Sequence, residues 1–279
     1  MNQKLDHGDY RDCKELEAPI KQRVRAFIVH FLLSLAIVGG LFLLLKTRWF
    51  PEPFFSLDGG NKGLTLVAFI DIVVGPLLTF CVYETHKKSL AKLRLDLAII
   101  FALQIGCLCY GVHLLHKFRP ASLAYMNGNF YMMSIDVYDS YNREEEFLEK
   151  YGDSMPVVLS VVRQAKKTAD DQVLANLYED GVPVRVKLEY YRDIEHSLND
   201  IKKHSVDVSS LKLVEDNSGY LAELNKWKTV VEQDRDRYSF LPVNARYKSV
   251  YLVVDNRTGK PVDYIDIPQG FLQQEEQDE

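Results

Sequence analysis

The hydrophobic positions of this chain fall into three long apolar runs, followed by a different, shorter-period pattern. Residues 26–45 (AFIVHFLLSLAIVGGLFLLL) contain no Asp, Glu, Lys or Arg. Residues 64–83 (LTLVAFIDIVVGPLLTFCVY) contain one, Asp71, and residues 97–116 (LAIIFALQIGCLCYGVHLLH) contain none. A helix crossing a hydrocarbon core ~30 Å thick needs about 20 such residues. No run of that length follows His116. The first run has a basic approach (Lys21, Arg23, Arg25), as a signal peptide would. It exceeds the typical h-region of about 7–15 residues, and no small-residue cleavage site follows it, so it reads as an uncleaved anchor.

Beyond residue 120 the pattern becomes that of a small mixed domain. Asn127-Gly128 between two apolar, aromatic runs predicts a two-residue hairpin turn. Residues 144–151 suit a short helix and 157–162 (VVLSVV) a buried strand. Thr168 and Asp171 resemble a capping box opening a helix to about Glu179, ended by Gly181. Helical spacing recurs over 189–204 and 219–233, and strands at 248–255 and 261–267 flank the turn Asn256-Arg-Thr-Gly259. The expected fold class is a membrane protein: three transmembrane α-helices (26–45, 64–83, 97–116) followed by a small α+β extracytoplasmic domain. The expected divisions are an N-terminal segment 1–25, a three-span domain 26–116, the α+β domain 120–270 and a disordered acidic tail 271–279.

Loop charges give the orientation, because Lys and Arg accumulate on the cytoplasmic side. Six precede the first span and four lie between the second and third, whereas three lie between the first and second and two closely follow the third. This predicts a cytoplasmic N-terminus and an exported C-terminal domain. The overall figures, a net charge of -5 and a mean hydropathy of -0.15, conceal two unlike halves. Residues 1–119 carry 15 basic and 10 acidic side chains, hence +5, and residues 120–279 carry 19 and 29, hence -10. An acidic exported domain argues against nucleic acid and favours a protein partner. The composition also excludes a disordered chain, collagen and a disulfide-dense mini-protein. All four cysteines (Cys13, Cys81, Cys107, Cys109) precede residue 120, so no disulfide can form within the exported domain.

Asp71 is the most informative candidate, since a carboxylate at the centre of a span costs roughly 2.5–3.5 kcal/mol on insertion scales. It lies about 10 Å inside the exported end of the second span. Two readings are open: contact with a partner's transmembrane helix, or an internal contact to Gln104 or His30 with Asp71 protonated. Gly75-Pro76 follows, and Pro76 frees the Ile72 carbonyl and predicts a kink. Asp96 sits where the third apolar run begins, a position favoured by the helix dipole. Gly152-Asp-Ser154 with Asp193 and His196 superficially resembles a hydrolase constellation, but only 42 residues separate Ser154 from His196 and no oxyanion loop is evident. His113 and His116 lack a third metal ligand nearby, and Cys107/Cys109 read as packing residues. No P-loop, dinucleotide fingerprint or zinc-finger spacing occurs. No catalytic residue, metal or cofactor is therefore expected.

Three spans with Phe69-Ile-Asp-Ile-Val-Val-Gly-Pro-Leu-Leu-Thr79, Lys92-Leu-Arg-Leu-Asp-Leu-Ala98, Gln104, Tyr110-Gly111 and Arg119-Pro120 resemble the TfpX/TfpZ (FimB-like) type IV pilin accessory proteins. Leu241-Pro-Val-Asn-Ala-Arg246 and Val253-Val-Asp-Asn-Arg-Thr-Gly259 look like that family's closing hairpin. The resemblance covers roughly residues 24–270. It implies a multi-pass protein of a bacterial inner membrane, with membrane lipid around its spans and a periplasmic domain. Its implied role is to assist a cognate type IV pilin. It marks Asp71, Gly75, Pro76 and Asp96 as motif positions without assigned chemistry. The other function classes are a membrane-anchored periplasmic binding or sensor module and, more remotely, a periplasmic hydrolase.

Overall fold

A computed structural model describes residues 9–83, 89–152, 156–162, 178–214, 217–234 and 236–274. The chain divides into two compact units, one of Met1–Thr47 with Asn61–His116, the other of Arg48–Gly60 with Lys117–Glu279.

The first unit is helical. Asp9–Leu44 is an α-helix that runs into a π-helical turn, Leu45–Trp49. Gly60–Ala68 and Gly75–Val82 are α-helical, with a π-helical turn, Phe69–Val74, between them, and Leu90–Lys117 is one α-helix. Three stretches, Ile20–Trp49, Gly60–Val82 and Leu90–Lys117, are long and apolar enough to cross a membrane. Side chains such as Val29, Leu66 and Phe101 are exposed on all three, an unfavourable arrangement in water but not against lipid tails.

Glycines bring the second and third helices together. A Cβ on Gly63 would lie 2.5 Å from Leu115 Cδ2, and one on Gly111 would lie 2.7 Å from Val67 Cγ2. Further along, one on Gly75 would lie 1.8 Å from Gln104 Nε2. From Gly63 to Val67 and from Leu115 to Gly111 the helices advance four residues each. From Val67 to Gly75 the second helix advances eight, while the third advances seven from Gly111 to Gln104. The extra residue is what a π turn inserts, and the turn Phe69–Val74 lies in that interval. Pro76, the expected site of a kink, directly follows this widened turn and Gly75. A wider turn relieves the missing N–H and the clash between the proline ring and the preceding carbonyl.

The second unit is built on a seven-stranded mixed sheet. Its strands are β1 (Pro120–Met126), β2 (Asn129–Ser134), β3 (Val157–Val161), β6 (Tyr191–Asp193), β8 (Tyr238–Asn244), β9 (Ser249–Asp255) and β10 (Pro261–Ile265), in the order β10-β9-β8-β2-β1-β3-β6. The β1–β2 hairpin turns at Asn127-Gly128, both at positive φ (51° and 80°), as that dipeptide permits. β1 is parallel to β3, and β2 is parallel to β8. β1 is buried along its whole length because both sheet faces are covered. Leu123 and Tyr125 point into one cluster with Val250, Leu252 and Val254, while Ala124 and Met126 point into another with Tyr138 and Phe147. The helix Ser218–Gln233, capped by the Asn217 side chain, packs Leu224 and Trp227 against Phe240 and Val253 in a third cluster.

Residues 48–60, which join the first two long helices, belong to this sheet unit. Phe54 and Leu57 are buried in the cluster of Leu123 and Leu241, and Phe50 is buried too.

Several elements depart from the sequence pattern. The expected helix 168–179 lies mostly outside the described residues, and its end is a strand, β4 (Tyr178–Glu179), paired with β5 (Val182–Pro183). The expected helix 189–204 is α-helical only over Leu198–Lys203. Tyr191–Asp193 pairs instead with β3, whose outer edge would otherwise lack a partner. Of the expected disordered tail 271–279, Phe271 closes a 3-10 turn and Leu272–Gln274 forms β11 against β7 (Leu211–Leu213), while 275–279 lie outside the described residues.

Candidate functional site

Polar side chains meet inside the helical unit. Asp71 sits in the π turn and is 6% exposed. It lines a small cavity of about 40 Å³ together with His30 and Ser34 of the first helix and Gln104 of the third. About two turns further along the second helix, Thr79 Oγ1 shares a hydrogen bond of 2.6 Å with His30 Nδ1, and Phe27 meets Phe80 edge-on at 6.4 Å. Ser34, Thr79 and Gln104 are all buried. The side chains of His30, Asp71 and Gln104 are therefore gathered from three helices onto one internal face. Hydrogen-bonding groups withdrawn from lipid are expensive when unpaired, so such a cluster holds helices in a fixed rotation about their axes.

The four motif positions divide. Asp71, Gly75 and Pro76 are buried on this face, and Gly75 provides the space occupied by Gln104. Asp96 is not part of it. The third helix begins at Leu90, so Asp96 lies beyond its first turn, where the dipole acts weakly, and eight residues, about 12 Å, from Gln104. Thr79 and Ser34 were not singled out from the sequence, although Thr79 follows Asp71 by eight residues and shares its face.

A second polar group lies within the sheet unit. Asp58, 4% exposed, accepts the Arg246 backbone N–H through Oδ1 at 3.2 Å, and among the described residues its Oδ2 has no hydrogen-bond partner. Burial pushes its carboxyl up to about 6, only partly offset by that N–H and the Arg246 charge. Arg246 donates to Ser134 Oγ and Asp136 Oδ1, both at 2.7 Å, and its guanidinium stands 4.4 Å from the Phe118 ring centroid. Sequence pattern did not mark this pair, which is 188 positions apart. A buried hydroxyl chain, Ser122 to Tyr138 to Tyr191, ends on the Arg185 carbonyl and is internally satisfied. Burial raises the Tyr138 and Tyr191 hydroxyls far above the usual range, so both serve as neutral hydrogen-bonding groups.

The hydrolase constellation gains nothing from this geometry. Ser154 lies outside the described residues. His196 Nδ1 is 3.2 Å from the Asp193 main-chain carbonyl rather than paired with its carboxylate. Among the described residues no group of three His, Cys, Asp or Glu side chains could hold a metal ion.

Three helices long and apolar enough to cross a membrane, followed by a mixed-sheet domain, are compatible with a membrane protein. No family model and no solved structure matches the chain. A fimbrial assembly protein of serogroups C1 and C2 from Dichelobacter nodosus is 32% identical over 97 residues, covering 35% of this chain and 73% of that relative. Fimbrial assembly proteins of serogroups I and E1 from the same organism are 32% and 31% identical over 97 residues. The matched region spans 37% of each of these two relatives. The chain belongs to the family of fimbrial assembly proteins.

Proposed function

We propose that this protein is a non-enzymatic inner-membrane accessory factor in type IV pilus biogenesis, acting on its cognate pilin. The family relationship supports the role in pilus biogenesis. The observation that carries the mechanism is the joining of residues 48–60 to the sheet unit. If the three apolar helices cross a membrane, that loop and the domain after the third helix must lie on one side of it. The loop charges make that side the periplasm and leave the N-terminus in the cytoplasm. The three-span domain 26–116 then stands in the same bilayer as a pilin awaiting assembly, and the domain 120–270 stands beside its exported head. In this reading the spans engage the pilin's transmembrane helix while the sheet domain holds or orients the head. Asp71, with Gly75 and Pro76, forms the polar step that fixes the spans for this contact, and Asp96 is a structural position at their cytoplasmic end. The test is deletion of the gene. Surface pili should fall while pilin is still made, and normal piliation would refute the role.

A further inference from the structure

A crevice of about 560 Å³ opens between the three long helices at the Arg25 end of the helical unit. Its walls are apolar, formed by Val29 and Leu33 of the first helix and by Leu97, Ile100 and Phe101 of the third. Its polar groups are not spread along it. Gln22, Arg25 and Tyr83 stand at one end. His30 and Thr79, deeper in, already share a hydrogen bond with each other. Among the described residues the site thus offers one cation, Arg25, at its mouth and hydrocarbon beyond.

Its dimensions select the occupant. From Gln22 to Leu33 the first helix rises about 16 Å, close to half of a hydrocarbon core ~30 Å thick. A partner helix crossing the bilayer would need a groove twice as long. The crevice is too short for such a helix but suits extended hydrocarbon of a single leaflet. On the membrane reading Arg25, which directly precedes the apolar run 26–45, falls at the headgroup level, and among the described residues no acidic side chain pairs with it.

We propose that this crevice is a binding site for one anionic phospholipid, its headgroup held by Arg25 and an acyl chain laid between the first and third helices. The proposal rests on reading the helices as membrane spans. It is tested on the full chain, purified from membranes in detergent and titrated with dioleoyl phosphatidylglycerol or dioleoyl phosphatidylcholine, by native mass spectrometry. One phosphatidylglycerol per chain should be retained about tenfold more tightly than phosphatidylcholine. Arg25→Gln should abolish that preference, whereas Arg48→Gln, outside the crevice, should preserve it. Ala26→Trp, which fills the crevice, should lose retained lipid of both kinds with helix content unchanged by circular dichroism. Equal retention of the two lipids, or a preference that survives Arg25→Gln, would overturn the site. Recovery of the chain in the soluble fraction would instead overturn the membrane reading on which it rests.

Discussion

Gln104 occupies the space that a side chain at Gly75 would need: its Nε2 lies 1.8 Å from the position of a Cβ there. The two residues lock the second helix to the third at the level where the π turn ends. Gly75→Ala must therefore displace the Gln104 amide, while the double variant Gly75→Ala/Gln104→Ala removes the clash. Thermal unfolding in detergent should show a lower midpoint for the single variant and a partial recovery for the double, a non-additivity expected only of residues in contact.

Asp71 is tested by capture of pilin. Asp71→Ala should weaken co-purification with pilin from detergent extracts if the carboxylate is a partner contact, and Asp71→Asn should retain much of it if hydrogen bonding suffices. Unchanged capture by both variants would assign the residue to the internal packing of the spans.

Asp58 gives the sheet unit a pH dependence of definite sign. With its carboxyl raised to about 6 from 3.8, the ionised form is the costly one in the folded state. Folding takes up a proton between these values, so the penalty is absent below about 3.8 and fully present above about 6. A displacement of this size corresponds to on the order of 3 kcal/mol between the two protonation states. Asp58→Asn should raise the melting temperature at pH 7.5 more than at pH 5, flattening the profile of the full chain. Parallel profiles for the two proteins would contradict this.

Asn256 should behave as a structural amide. Its Oδ1 accepts from Ser239 Oγ at 2.6 Å and its Nδ2 donates to the Asp236 carbonyl at 2.8 Å, tying the turn after β9 to the start of β8. Asn256→Ala should cost about 1–3 kcal/mol in denaturant unfolding followed by near-ultraviolet circular dichroism.

The topology is open to direct labelling. In a variant with the native cysteines replaced by Ser, single cysteines at Glu52 and Lys260 should both react with a membrane-impermeant maleimide added to intact cells. One at Ser89 should react only after lysis. Protection of Glu52→Cys with reaction of Lys260→Cys would break the three-crossing arrangement.

The helical unit was largely legible in the sequence because a stretch of apolar residues long enough for a bilayer is a strong local signal. Asp71, Gly75, Gln104 and His30 stood out for a related reason, being polar or small where the surroundings are uniformly greasy. In the sheet domain, local pattern found Glu144–Tyr151, Ser218–Gln233 and the Asn127-Gly128 turn, whose determinants lie within a few residues. It failed for Tyr191–Asp193, where tyrosines at helical spacing are drawn into a strand by the open edge of β3 and the buried Tyr138 hydroxyl. It also passed over Phe50, Phe54 and Leu57. Their loop was read for its charges alone, and nothing local shows that a core assembled from residues more than 60 positions later needs them.

That loop also sets an order of events. Phe54 and Leu57 are synthesised before the second helix, whereas the β-strands they pack against follow the third. The core of the sheet domain can therefore close only after all three helices are made. If those helices cross a membrane, the loop must also have reached the compartment where the strands emerge, and domain maturation becomes a readout of correct insertion. A chain threaded the wrong way would keep an apolar slot open, exposed to the proteases and chaperones that dispose of unfinished proteins.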